Sequence, residues 1–258
     1  MIGFLLFSWG AIFGSFLNVC IHRLPRDQSI VTPRSHCPKC KTPIQWYDNV
    51  PIISYLVLRG KCRECHAPIS WRYVVTEILS GCVWLFLWLH FDFSGWFIAG
   101  VTLFSILLAL SIIDFETGYL PDVLTFPGMG LGLILSAAYP ALQGREGWFD
   151  GLISSGIGLV AGGAILLVTG VIGNLIFKKE SMGGGDIKLL AMIGAFLGWQ
   201  GALLVFFLSP IAALPLALYE RYVRKEETIP FGPFLALAGA GMYLFGDTVV
   251  NFLFPTIT

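Results

Sequence analysis

Two aspartates stand at the ends of very apolar stretches of this 258-residue chain. Asp114 closes a stretch from Leu103 that holds no other charged residue, and Asp186 follows Gly183, Gly184 and Gly185 just ahead of the apolar run Leu189–Trp199. A charge in such surroundings costs a few kcal/mol or more unless it is hydrated, paired or protonated. Two acids able to share one proton are also the minimal equipment for splitting a peptide bond with water. The pair therefore points to hydrolysis inside a membrane, with Asp114 and Asp186 as candidate catalytic residues. The glycines Gly183, Gly184 and Gly185 would let a substrate backbone come close to Asp186. Each acid also has a structural reading. An acid after glycines and before a helix suits an N-cap, which covers Asp186. Pro121-Asp122 suits the first turn of a helix. Asp114 is harder to dismiss, because it lies where a helix dipole disfavours negative charge. Glu77, a few residues into another apolar segment, is either an interfacial acid paired with Arg72 or a contact for substrate or cofactor.

A second set of chemically capable residues is Cys37-Pro-Lys-Cys40 and, after a gap of 21 residues, Cys62-Arg-Glu-Cys65. Two C-x-x-C pairs at this separation suit a structural zinc site, because four thiolates complete a tetrahedron and leave no open position for catalysis. The alternative is a pair of redox motifs or disulfides, which a cytoplasmic location disfavours. His36 and His66 each adjoin a cysteine and could stand in as ligands. Cys20 and Cys82 lie in apolar segments and read as packing residues.

The segments that must position these groups are read from hydropathy. Hydrophobic residues make up 56% of the chain and charged residues only 12%, against roughly 25% charged in soluble domains. Several windows exceed the about 18 apolar residues that a bilayer-spanning helix needs. Eight spans are expected, at roughly 2–21, 74–91, 96–113, 123–139, 151–176, 187–198, 202–220 and 232–254. The first lacks the basic start and cleavage site of a signal peptide, and its Gly14, Ser15 and Asn18 suit helix packing. Segment 22–72 carries nine Lys/Arg, while Lys178, Lys179, Lys188, Arg221, Arg224 and Lys225 lie in loops on the same side. Only Arg145 falls opposite, so the positive-inside rule places that side, with both aspartates, in the cytoplasm. Twelve residues of helix rise only about 18 Å, so the sixth span is too short for a bilayer of about 30 Å. The glycine loop before it hints at a wet cavity around Asp186.

The fold class expected is thus an all-α polytopic membrane protein of about eight transmembrane helices. Its domains are a first helix over 1–21, a cytoplasmic zinc-binding insertion over 22–72, and a seven-helix membrane domain over 73–258 carrying the aspartates. The lipid bilayer is an expected partner and nucleic acid is not.

The chain resembles the bacterial type IV prepilin peptidases. The resemblance rests on Gly14-Ser15-Phe16-Leu17-Asn18-Val19, His22-Arg23-Leu24-Pro25, Ser35-His36-Cys37-Pro38-Lys39-Cys40 and Trp46-Tyr47-Asp48-Asn49-Val50-Pro51. It continues through Leu58 to Cys65, Arg72-Tyr73 with Glu77, Asp114 with Pro121-Asp122, Gly183 to Lys188, and Pro230-Phe231-Gly232-Pro233-Phe234. It implies an aspartyl endopeptidase of the bacterial inner membrane that cuts the basic leader from prepilins and pseudopilins at the cytoplasmic face. Asp114 and Asp186 match the family's catalytic acids, and Gly183-Gly184-Gly185-Asp186 satisfies a Gly-x-Gly-Asp pattern shared with presenilin-like proteases. Members with the cysteine module also N-methylate the new N-terminus from S-adenosylmethionine, whose site the sequence does not show. Two other classes stay open, a membrane methyltransferase with structural aspartates and an ion-coupled transporter in which they bind ions.

Overall fold

The computed structural model describes residues 1–178, 182–224 and 229–253. Lys179 and Lys225, counted above among loop charges, lie outside those residues. The chain divides into two compact units, Met1–Phe97 and Ile98–Thr258.

In the first unit α1 (Ile2–Arg23) and α3 (Trp71–Phe91) pack as an antiparallel pair. Gly10 and Gly14, spaced as Gly-x-x-x-Gly, let the backbones approach closely. A Cβ at Gly14 would lie 2.8 Å from the Glu77 Cα, and one at Gly10 2.8 Å from the Ser80 carbonyl oxygen. Asn18 Nδ2 donates to the Tyr73 carbonyl at 3.0 Å, tying the two helix ends together. Helix α3 starts three residues before its expected position because the Ser70 side chain caps it, accepting from the Arg72 N–H. Between the two helices lie the cysteine knuckles and one short α-helix, α2 (Ile53–Val57), which was not among the expected elements.

The second unit holds the body of α4 (Gly95–Thr117), α5 (Asp122–Ala138), α6 (Trp148–Phe177), α7 (Gly184–Tyr219) and α8 (Gly232–Leu253). Its centre is the first part of α7, where Leu189 to Phe196 are all buried. Small residues on three neighbours make room for it. A Cβ at Gly132 of α5 would lie 2.8 Å from the Ala195 Cβ, and one at Gly239 of α8 3.1 Å from Ile193. On α6, Gly158 and Gly162 back onto the Gly194 and Leu190 carbonyls.

Helix α7 breaks at Gly198, where φ is 71° and ψ 179°, a conformation essentially confined to glycine. The chain then folds back. A Cβ at Gly194 would lie 3.3 Å from the Ala202 Cβ, although eight residues of straight helix would separate them by about 12 Å. The two halves are therefore the expected sixth and seventh spans. The break leaves carbonyls without helical partners in an apolar interior, where each unpaired group is costly. They are met by side chains. The Ala195 carbonyl accepts from Ser155 Oγ at 2.6 Å, Gln143 Nε2 at 3.2 Å and Ser136 Oγ at 3.3 Å, and the Phe196 carbonyl accepts from Gln143 at 3.1 Å.

Among the described residues five helices are long and apolar enough to cross a membrane, α7 counted as one, and α5 and the described part of α8 are shorter apolar helices. With α7 divided at Gly198 these are the eight expected helices, and the chain is an all-helical, multi-pass membrane protein. Gln143→Leu removes the partner shared by two buried carbonyls, and Gly198→Ala forces a side chain into a glycine-only conformation. Each should lower unfolding stability in detergent by about 1–3 kcal/mol. Midpoints equal to wild type in both would show that the break is held by something else.

Candidate active site and metal centre

Asp114 sits in the last turn of α4 and is 6% exposed. Helix α4 runs one turn further than the sequence suggested, to Thr117, and Gly118 at φ 64° turns the chain toward Pro121 and α5. The carboxylate meets the start of α8, where the Gly232 N–H donates to Asp114 Oδ2 at 2.9 Å. A helix N-terminus favours negative charge, so α8 offsets what the C-terminal end of α4 imposes. Position 232 must be small, because a Cβ there would lie 2.7 Å from Asp114 Oδ2. Gly232 stands in the Pro230–Phe234 stretch that carries the resemblance, but no role for it was legible there. Its signal was the Gly-Pro pair opening an apolar run, which marks a helix start but says nothing about which acid that start faces.

Asp186 is the third residue of α7, whose N-cap is Gly183 rather than Asp186, and no side-chain cap hydrogen bond is made there. Asp186 therefore stands at the third helical position rather than at the N-cap, and its carboxylate lies against the Gly183 N–H. None of the three glycines has a positive φ, and space within the fold constrains Gly185 and not Gly184. A Cβ at Gly185 would lie 2.9 Å from Leu120, whereas one at Gly184 would meet nothing within 4 Å. The open side of the glycine turn faces a cleft of about 330 Å³. Asp114 and Asp186 both line it, together with the glycines and the turn after α4, and their charges are close enough to interact.

Lys188 and Asp122 line the same cleft. Lys188 Nζ lies 2.6 Å from Asp122 Oδ1 and 5.4 Å from the Phe126 ring centroid. Lys188 thus belongs to the second turn of α7, not to the loop in which its charge was counted. Asp122 is in the first turn of α5, as expected.

Glu77 lies in the first unit. It is 8% exposed, and its Oε2 accepts from the Ile52 N–H at 2.8 Å, at the start of α2. Such a bond fixes a local backbone; Glu77 is not among the residues lining the cleft.

The four cysteines converge as their spacing suggested. The sulfurs of Cys37, Cys40, Cys62 and Cys65 lie within 4.8 Å of one another. Cys37 and Cys65 Sγ are 3.8 Å apart and Cys40 and Cys62 Sγ 4.0 Å. A tetrahedron with metal–sulfur bonds of about 2.3 Å has edges of about 3.8 Å, so the cluster could hold one metal ion. The two knuckles repeat each other. In each, the first cysteine's carbonyl accepts from the residue after the second cysteine, Lys41 (2.9 Å) or His66 (3.0 Å), both at positive φ. In each, an isoleucine N–H closes the loop, Ile44 to Ser35 and Ile69 to Gly60. The signal was present as Cys-x-x-Cys-x-x-Pro-Ile-x-Trp, from Cys37 to Trp46 and again from Cys62 to Trp71. Between the knuckles, Arg63 donates to both oxygens of Asp48, at 2.5 and 2.8 Å, and holds that carboxyl below the usual carboxylate range. Neither His36 nor His66 belongs to the cluster.

Residues 8–91 match the bacterial peptidase A24 N-terminal domain, and residues 101–218 match the type IV leader peptidase family. Among similar proteins, the prepilin leader peptidase/N-methyltransferase of Burkholderia pseudomallei (strain 1026b) is 37% identical, covering 92% of this chain and 83% of its own. Those of Neisseria gonorrhoeae and Pseudomonas aeruginosa are 35% and 36% identical, covering 93% and 94% of this chain and 89% and 90% of theirs. No solved structure matches the chain. The chain belongs to the type IV leader peptidase family.

The purified full-length protein should carry about one metal ion per chain, since four convergent thiolates make a closed site. Cys37→Ser or Cys62→Ser should lose most of it and open residues 24–70 to protease. Elemental analysis with limited proteolysis checks this; full metal content in both variants would refute the site.

Proposed function

We propose that the chain is a membrane-embedded aspartic endopeptidase that removes the leader from type IV prepilins and related pseudopilins. The observation that carries this reading is the convergence of Asp114 and Asp186 on one cleft, on elements 72 residues apart in sequence. Membership of the family and the names of the similar proteins support it, and they do not favour a transporter. The two carboxyl groups share one proton. The ionised member takes a proton from a bound water, the protonated member donates to the scissile carbonyl oxygen, and water's oxygen attacks the carbonyl carbon. Gly184, with open space on its cleft side, lets the extended substrate backbone reach Asp186. Asp114 is held by Gly232 and Asp186 by the first turn of α7, so neither has to be ordered by substrate.

The relatives' second activity carries over as transfer of a methyl group from S-adenosylmethionine to the freed N-terminal amine. Zinc is the metal that four thiolates at these separations favour; its part is to fold the insertion 22–72 between the helix 1–21 and the membrane domain 73–258. The distribution of Lys and Arg supports a cytoplasmic catalytic face in the bacterial inner membrane.

A prepilin-like peptide with a basic leader tests the assignment in liposomes. Asp114→Asn and Asp186→Asn should each slow leader release by about 10²–10⁴-fold or more, the range of acid–base catalysis, with unfolding midpoints unchanged. Wild-type release by either variant would overturn the pair. Gly232→Ala, which pushes on Asp114, should also impair cleavage severely, whereas Gly184→Ala, which meets nothing, should leave the fold intact. Normal cleavage by Gly232→Ala would show that Asp114 does not depend on its contact with α8.

A further inference from the structure

Helix α2 is inside out. Ser54 is buried, donating to the Tyr47 carbonyl at 3.0 Å and accepting from the Val50 N–H at 2.9 Å. The apolar positions Ile53, Leu56 and Val57 form the opposite face and are 60%, 66% and 68% exposed. In water this arrangement is unfavourable, since burying three such side chains would be worth about 1.5–3 kcal/mol each. It is the arrangement expected of a helix whose outer solvent is apolar.

The position of α2 along α3 says what that solvent is. Helix α3 has 21 residues, about 31 Å, which matches a hydrocarbon core of about 30 Å. Glu77 lies six residues, or about 9 Å, into it from Trp71, and its carboxylate holds the Ile52 N–H at 2.8 Å. The start of α2 is thereby fixed at the depth of the second turn of a membrane-crossing helix. Trp71, 70% exposed at the entry of α3, occupies the place of an interfacial tryptophan. Arg59 and Lys61 follow α2 directly in a segment with nine Lys/Arg, a charge suited to anionic headgroups.

We propose that α2 is an interfacial membrane anchor. Ile53, Leu56 and Val57 sit in the headgroup–acyl boundary of the leaflet through which α3 enters, and Arg59 and Lys61 meet lipid phosphates. The metal-binding segment is thus attached to the bilayer surface as well as to the helices on either side of it. The inference rests on α3 crossing a membrane and not on the chemistry of the aspartates, so failure of one leaves the other standing.

Photo-crosslinking from the full-length protein tests it. A benzophenone amino acid replaces Leu56, Val57 or, as a control exposed on the first knuckle, Lys39, in bilayer nanodiscs containing alkyne-tagged phosphatidylglycerol. Metal content equal to wild type shows that the segment is folded, and having two α2 positions covers the loss of one variant. Lipid adducts from positions 56 and 57 should exceed those from 39 severalfold and be unchanged by added prepilin peptide. Adducts to the peptide or to a second copy of the chain in place of lipid would overturn the proposal, as would lipid labelling no greater than at 39.

Discussion

Everything in the second unit depends on keeping the backbone of one short buried helix satisfied in surroundings that offer no water. The first half of α7 is enclosed by its neighbours, so it can show neither end to solvent at will. At Gly198 the open carbonyls are closed by Gln143, Ser136 and Ser155, side chains drawn from three different elements. At the other end the helix begins in glycines, which open a cleft instead of filling it. The same shortness that would be a defect in an ordinary span therefore places the first turn, with Asp186, beside a cavity.

Placing a second acid there poses an electrostatic problem that geometry answers. Asp114 sits at the wrong end of its own helix for a negative charge, yet at the right end of α8, through the Gly232 N–H. The requirement for glycine at 232 follows from that contact, because the carboxylate occupies the space a Cβ would need. Lys188 and Asp122 neutralise each other in the same cleft, so among the described residues lining it Asp114 and Asp186 are the acids with no cation beside them.

The spans were legible in the sequence because hydropathy averaged over twenty residues is insensitive to detail, and the division of α7 was legible as a polar, glycine-flanked interruption from Gly198 to Gly201. The cysteine cluster was legible because ligand spacing is a local property. What was not legible is long-range. No local pattern says that Gly232 faces Asp114, 118 residues away, or that Glu77 reaches back to Ile52. Helix α2 was missed for a different reason: five residues are too few to show a period, and its apolar side faces outward. The N-cap alternative for Asp186 arose because the glycines before it looked like loop, whereas Gly184 and Gly185 are already helix.

The first unit solves a different problem with different means. Between residues 24 and 70 only Cys37 and Ser54 are buried, so this segment has no hydrophobic core to hold it. Chains of about 40 residues or fewer rarely fold without disulfides, metals or partners, and a segment of this size with two buried side chains is well beyond what apolar burial can stabilise. Its order must come from polar and coordinate links. Arg23 donates to the Ser29 and Pro33 carbonyls at 2.7 Å each, Glu77 holds Ile52, Arg63 joins the knuckles through Asp48, and the four sulfurs surround one point. Without a metal among the four sulfurs the remaining links would each fix only a few residues. A metal held by the four sulfurs would tie the two knuckles together at one point, and the knuckles repeat each other almost hydrogen bond for hydrogen bond.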